Sequence, residues 1–536
     1  MPLDRRDFLK AGAAGLAAPW LARGAAPAFR PEWSSLAHYR VPEWFRDAKF
    51  GIWAHWSAQC VPERGDWYAR LMYLQGSPFY DYHVKTYGHP SRFGFMEIDN
   101  LWKAERWEPQ QLMQLYRKAG AKYFVALANH HDNFDAYDSS HHAWNSVRIG
   151  PRKDIVGTWA GIAREQGLRF GVSVHAAHAW HWWQTAYGYD GEGPLAGVRY
   201  DAATLTKADG QGKWWEGLDP QDLYTGANMA MPDGIRGIQA VQDWHAKHDG
   251  VWTERPPSHN PRFVRSWSLR CRDLIDKYRP DLVYFDDNQL PLGEAGIAAT
   301  ADYYSRAIEW HGTPDVVVTG KQLSPYQLYG IVEDVERGFA KDIRPHAWQT
   351  DTCIGSWFYD RPLFERHGYK SAKQVVQRLC DVVSKNGNLL LSVPLKGDGT
   401  HDSDEMQILA DLAGWFAING DGIYGTRPWR VFGEGPNVPP EGMQSEAEMK
   451  PYTAQDVRIT TSGGGLNLFL LDEPDGELRL ACLGRRAARG TIERITLNGG
   501  GALSLVQDDD ALRLTLPPLA AGRFVPGLRI EGRGLV

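Results

Sequence analysis

Apolar residues along this chain gather in short runs that end in polar or charged residues, and stretches of helical periodicity separate the runs. The clearest run spans 280–288. Leu282, Val283, Tyr284 and Phe285 lead straight into Asp286, Asp287 and Asn288, with Pro280 ahead and Gln-Leu-Pro-Leu-Gly behind. A short run with β-branched and aromatic members, bounded in this way, reads as a buried parallel strand. Residues 49–54, 121–129, 168–175 and 315–321 read the same way, and 330–338 as one more. Between them, 109–119 is predicted as a helix stopped by Gly120. A second helix follows Asp154 and ends before Gly167, and a third covers 264–277. Residues 184–250 are rich in Gly and Asp with little periodicity, as in an insertion or a long loop. Strands alternating with helices predict an α/β chain built on a (β/α) TIM-like barrel, with room for distortion. No Gly-rich phosphate loop follows the first strand, which disfavours an open doubly wound sheet.

The pattern changes after Arg427-Pro428-Trp429. A Gly/Pro/Glu stretch gives way to short alternating runs at 457–460, 466–470, 492–497 and 512–516, the signature of a small antiparallel β-sandwich. The expected layout is an export signal at 1–27, a catalytic barrel at 28–432, a linker at 433–455 and a sandwich at 456–536.

In a parallel α/β barrel the reacting groups sit at the carboxyl ends of the strands. Period-two alternation puts Leu282, Tyr284 and Asp286 on one face and Val283, Phe285 and Asp287 on the other. Asp286 is therefore the candidate acid, weighed against a strand-end Asp that merely caps a turn. The other expected strand ends carry Trp53, His55, His130, His131, His175 and Glu336.

Composition narrows the chemistry. The formal net charge of -6 gives no reason to expect nucleic acid as a partner. Trp 23 and Tyr 23 are high counts, and fit either a large aromatic core or faces that stack on sugar rings. The five cysteines form no CxxC pair, which excludes a zinc ribbon or disulfide framework. At the start, Arg5-Arg6, then Phe8-Leu9-Lys10, a mildly apolar Ala-rich stretch and small residues resemble a twin-arginine export signal. That stretch is too short to span a bilayer, and no later one replaces it. The expected location is periplasmic or secreted.

Three readings fit these residues. A metal-dependent hydrolase would use the histidines, but adjacent strand residues point to opposite faces and no HExxH is present. A glycosidase would pair Asp286 with a second carboxylate. A non-catalytic glycan-binding barrel would need the aromatics alone.

Several separated motifs resemble the α-L-fucosidases of glycoside hydrolase family 29. They are Lys49-Phe50-Gly51-Ile52-Trp53-Ala54-His55-Trp56, Asp66-Trp67-Tyr68, His130-His131-Asp132-Asn133-Phe134, Tyr284-Phe285-Asp286, Trp348 with Gly355-Ser356-Trp357, and Asn419-Gly420-Asp421-Gly422-Ile423-Tyr424-Gly425. The resemblance implies a retaining exo-α-L-fucosidase acting on fucosylated oligosaccharides without metal or other cofactor. It implies Asp286 as nucleophile and Glu336 as acid/base, with Glu333 as the runner-up. It also implies sugar contacts from Trp53, His55, Trp67, His130, His131, His175, Tyr284, Lys321 and Trp348. Asp334-Val335-Glu336-Arg337 followed by Trp348-Gln349-Thr350-Asp351 is similar to the branch restricted to α-1,3/1,4 linkages. The chain departs from the family at Asn133, where Gly is common, at Tyr284, where Trp is common, and at His175, which ends a strand aromatic in many members. It leaves the oligomeric state open.

Overall fold

The computed structural model describes residues 28–251, 255–474, 476–520 and 522–536. The expected export signal lies outside the described residues. Eight parallel strands close a barrel in chain order, each paired with the next and β1 with β8. They are β1 (Phe50–Ala54), β2 (Tyr123–Asn129), β3 (Arg169–Val174), β4 (Leu282–Asn288), β5 (Val317–Lys321), β6 (Val332–Asp334), β7 (Trp348–Cys353) and β8 (Gly387–Ser392).

Strands covered on both faces read as continuous apolar runs, and every residue of β2 is buried. One face of each strand fills the barrel: Trp53, Tyr123, Val125, Leu282, Tyr284 and Leu390 form its interior. The opposite face, with Phe124, Val283, Phe285 and Leu391, joins the outer core. The alternation expected across 282–286 holds on both sides. Gly51 makes room for the interior ring of Tyr123, since a Cβ at 51 would lie 2.4 Å from that ring.

Six helices pack around the barrel: α1 (Pro109–Lys118), α2 (Ile155–Glu165), α3 (Pro261–Tyr278), α4 (Glu294–His311), α5 (Ala372–Ser384) and α6 (Ser403–Asn419). Their ends carry the expected chemistry. Asn260 caps α3, with Pro261 at its first position, and Ser371 with Gln374 and Asp402 with Glu405 form capping boxes on α5 and α6. Gly120, in the left-handed region at φ 104°, follows α1. The barrel departs from regularity on one side. Only a single 3-10 turn at Gln327–Tyr329 lies between β5 and β6, and no helix joins β6 to β7. The long β3–β4 connection holds residues 184–250, folded into short helices such as Ile238–His248.

Antiparallel sheets follow. Five strands in the order β13-β16-β11-β10-β9 face three in the order β12-β15-β14, with Ile459, Leu468, Leu480, Leu512 and Leu528 in the core between them. Here β9 is Arg427–Glu434, β10 Val457–Ser462, β11 Gly465–Leu470, β12 Glu477–Leu480, β13 Thr491–Leu497, β14 Leu505–Gln507, β15 Leu512–Thr515 and β16 Gly527–Arg533. The first of these strands starts inside the span expected for the barrel, and residues 435–456 are no simple linker. They run back to the barrel rim, where Gly442 N–H donates to Phe339 O at 3.1 Å. The sheets dock on α5 through a fully buried cluster. Asp381 accepts from Arg458 Nε at 2.6 Å and from Lys385 Nζ at 2.9 Å. All five cysteines are free thiols. Among the described residues no helix is long and apolar enough to cross a membrane.

Candidate active site

A cleft of about 310 Å³ opens at the carboxyl ends of the barrel strands. Asp286, near the end of β4, lies at its centre. Its Oδ2 is 3.0 Å from His175 Nδ1 and 3.3 Å from His131 Nε2. Its Oδ1 contacts the ammonium of Lys321, the last residue of β5. The same ammonium contacts Glu336 Oε2. Two contacts to one nitrogen bring the facing carboxylate oxygens within about 6 Å of each other, at ~3 Å per hydrogen bond. Asp287, on the other face of β4, turns to His178 Nε2 at 2.8 Å.

Electrostatics separates these groups. Burial works to raise the Asp286 pKa, but Lys321, then His175 and the hydrogen bond from His131, hold it well below the ordinary carboxylate range. Burial alone would neutralise Lys321; Asp286 and Glu336 keep it charged, well above its usual value. Burial pushes His55 and His130 well down and His131 down to about 4. These rings are neutral near pH 7, each with one donor and one acceptor nitrogen, the combination that suits sugar hydroxyls at His55 and His130; both nitrogens of His131 already face protein oxygens.

The paired histidines correct an expectation. Adjacent residues on a strand diverge, yet the His130 and His131 rings sit 4.3 Å apart. The pairing of β2 with β3 slips between Leu127 and Asn129, and the strand ends at Asn129. Both histidines therefore leave the pleat and turn into the cleft. Asn133 then adopts the left-handed region at φ 64°, which Asn tolerates better than most residues. Its amide anchors the long β3–β4 connection by donating to Asp222 O at 3.0 Å and Leu223 O at 2.9 Å, and its Oδ1 accepts from Arg270. Asn at this position thus has a structural use that Gly would lack.

His130, His131 and His175 also place ring nitrogens within 4.8 Å of one another, a group that could hold a metal ion. Their donors are largely engaged. His131 Nδ1 is 2.8 Å from His175 O, His131 Nε2 faces Asp286, and His130 Nδ1 is 2.9 Å from Gln59 Nε2. A cation would have to displace these partners.

Of the remaining expected residues, Trp53, His55, Trp67 and Tyr284 line the cleft. His55 Nδ1 is held 3.0 Å from Ser392 Oγ, and the Trp53 ring lies 4.6 Å from that of Tyr284, tilted against it by 53°. Trp67 takes a left-handed backbone at φ 65° and is 36% exposed at the rim. Trp348 does not reach the cleft. It begins β7, so it lies at the far end of the barrel, packed with Val335, Ala340 and Val382, and donates from Nε1 to Lys385 O at 2.9 Å. From this part of the chain it is Trp357 that joins Trp53 and Trp67 in lining the cleft. Glu333, the runner-up, does not line the cleft either. It pairs with Arg344 and accepts from Leu323 N–H at 2.9 Å.

Sequence reasoning passed over Asp66, Asp351, Met443 and Gln444, all of which line the cleft. Asp66 and Asp351 stand inside motifs that were legible. Burial pushes Asp66 up to about 8, and burial with Glu336 pushes Asp351 up to about 7. Asp351 Oδ2 accepts from the Tyr284 hydroxyl at 2.7 Å. Met443 and Gln444 had no signal, because they belong to the stretch expected as a linker.

This chain matches a family model described as Alpha-L-fucosidase over residues 19–421, more than half its length. It is 26% identical to the tissue alpha-L-fucosidase of Rattus norvegicus over 521 residues, covering 95% of this chain and 93% of that protein. The human tissue enzyme is 26% identical over 417 residues, 75% of this chain and 73% of that one. Among solved structures, an alpha-L-fucosidase aligns with TM-score 0.67 at 25% identity, over 94% of this chain and all of the other. The Thermotoga maritima alpha-fucosidase in complex with a mechanism-based inhibitor aligns with TM-score 0.66 at 26% identity, over 94% and 99%. On its motifs, its closed barrel and a family match of this extent, the chain belongs to the alpha-L-fucosidase family.

Proposed function

We propose that this protein is a retaining exo-α-L-fucosidase that removes terminal α-L-fucose, α-1,3/1,4-linked, from fucosylated oligosaccharides or glycoconjugates. The observation that carries the proposal is the pair Asp286 and Glu336, joined by one Lys321 ammonium. Retention requires carboxyl groups about 5–5.5 Å apart, inversion about 6.5–9.5 Å, and the shared contact favours the shorter class. Asp286, held ionised, attacks C1 of the fucose. The C1–O bond to the leaving sugar breaks, its electron pair stays on the leaving oxygen, and that oxygen takes the proton of Glu336. Glu336 then removes a proton from water, the water oxygen bonds to C1, and Asp286 departs with its electron pair. Lys321 turns from one carboxylate toward the other as charge shifts between them. His55 and His130 hydrogen-bond the hydroxyls and His131 orients Asp286, while Trp53, Trp67 and Trp357 meet the apolar face and methyl group.

The linkage rests on the Asp334–Arg337 motif and the Trp348–Asp351 run that follows it. A non-catalytic binding barrel would need the aromatic walls but not the paired carboxylates. A metallohydrolase would need the histidine nitrogens that Asp286 and Gln59 already engage. The test is Asp286→Ala, which abolishes fucose release; added azide restores turnover and yields fucosyl azide. Rescue at position 287 instead would move the nucleophile. We infer export through the twin-arginine route from Arg5-Arg6 and the Ala-rich stretch after them. Replacing both arginines with Lys strands the protein in the cytoplasm; undiminished export of that variant contradicts this reading.

A further inference from the structure

The cleft does not end at Glu336. A second cavity, of about 450 Å³, adjoins it, and the two share Gln322 and Met443 as walls. Three segments build this groove. They are the loop after β5 at Gln322, the β6–β7 loop with Phe339, Lys341 and Arg344, and the segment at Glu441–Met443 that returns from the antiparallel sheets. The irregular side of the barrel opens it, because no helix fills the β5–β6 and β6–β7 connections.

The returning segment is fixed in place. Gln444 N–H donates to the carbonyl of Glu336 at 2.8 Å, and Glu446 N–H to that of Arg337 at 2.9 Å. Glu446 pairs with Arg378 at 2.9 Å, Lys370 at 3.3 Å and Arg337 at 3.4 Å. Gly338 lets the two strands of chain touch, since a Cβ there would lie 2.0 Å from Gly442 O. Gln444 itself lines the cleft in the left-handed region at φ 57°, a conformation that costs free energy and persists only where the surroundings enforce it.

We infer that this groove is the binding site for the leaving sugar, with the 441–444 segment as a specificity-determining wall contributed from beyond the barrel. The inference rests on the fucosidase reading above. A leaving oxygen protonated by Glu336 departs on the side that Met443 and Gln322 border. The groove there is lined by the Glu333–Arg344 ion pair, Lys341 and Glu441. Such a surface offers donors and acceptors to a hydroxyl-rich ring and little to a flat aryl group.

Lys341→Trp and Glu441→Trp test it, because both positions are exposed on the groove rim and neither borders the Asp286 cleft. Each variant is assayed on an α-1,3/1,4-fucosylated oligosaccharide and on α-L-fucosyl fluoride, whose leaving group needs neither the groove nor a proton. The expected result is a fall of about tenfold or more in kcat/KM for the oligosaccharide, as for other pocket mismatches, with fluoride hydrolysis within about twofold of the parent. Equal losses on both substrates, or no loss on either, overturn the inference. A parent enzyme inert toward fluoride and oligosaccharide alike overturns the fucosidase reading itself.

Discussion

At position 286 burial and charge oppose each other, and charge prevails. A desolvated carboxyl favours its neutral form, yet Lys321, His175 and His131 keep this one ionised. Burial, in turn, keeps His131 neutral, with a consequence for stability. Burial lowers His131 to about 4, against about 6.5 in an unfolded chain. Between those values the unfolded state binds more protons, so stability is full above about pH 6.5 and is lost as pH falls toward 4. From pH 7 to pH 5 the loss from His131 is about 2 kcal/mol, at 1.36 kcal/mol per unit. Thermal melts across that range check it. His131→Gln, which cannot charge, melts with a shallower pH dependence; an unchanged slope refutes the assignment. The alternation along 282–286 was enough to choose Asp286 over Asp287. Alternation failed for His130 and His131 because it describes a regular pleat, and β2 slips before it ends.

The elements legible in the sequence were those with a strong period or clear end signals. Strands β1 to β5 and helices α1 to α3 were read close to their observed bounds, helped by Gly120, Gly167 and the acids at strand ends. Short strands were less so. β6 has three residues, too few to alternate, and Glu336 lies two residues beyond it, so the strand expected over 330–338 reached Glu336 but gave it no face, and its role as acid/base came from the family motif. Trp348 failed for a related reason. A motif names a residue but not its height along a strand, and the first residue of β7 sits at the opposite end from the cleft. The Asp381–Arg458–Lys385 cluster was not legible either. It couples α5 to β10 across a long sequence separation, fully buried, and no local pattern encodes such a partner. Removing one member would leave a buried charge uncompensated, the costly case for ion pairs.

As a whole the molecule joins two architectures that the change of period at Arg427 announced, but their interdependence was invisible in the sequence. A Gly/Pro-rich stretch reads as a spacer because composition reports local freedom, not where the chain returns. Here residues 441–446 come back to the barrel rim and wall both the cleft and the groove beside it. The connection between β9 and β10 is thereby part of the cleft's rim, and on the groove proposal leaving-group selectivity is a property of the intact chain. That chain is the material for the most direct test of the central claim, that Asp286 forms a covalent bond to fucose. In 2-deoxy-2-fluoro-α-L-fucosyl fluoride the C2 fluorine slows both displacements, while departure of the anomeric fluoride keeps the first the faster, so the ester accumulates and the labelled protein is digested and mapped by mass spectrometry. The account predicts one fluorofucosyl group per chain, on the carboxylate of Asp286. A label on Asp287, Asp66 or Glu336, or steady turnover with no trapped species and an inverted product, would contradict it.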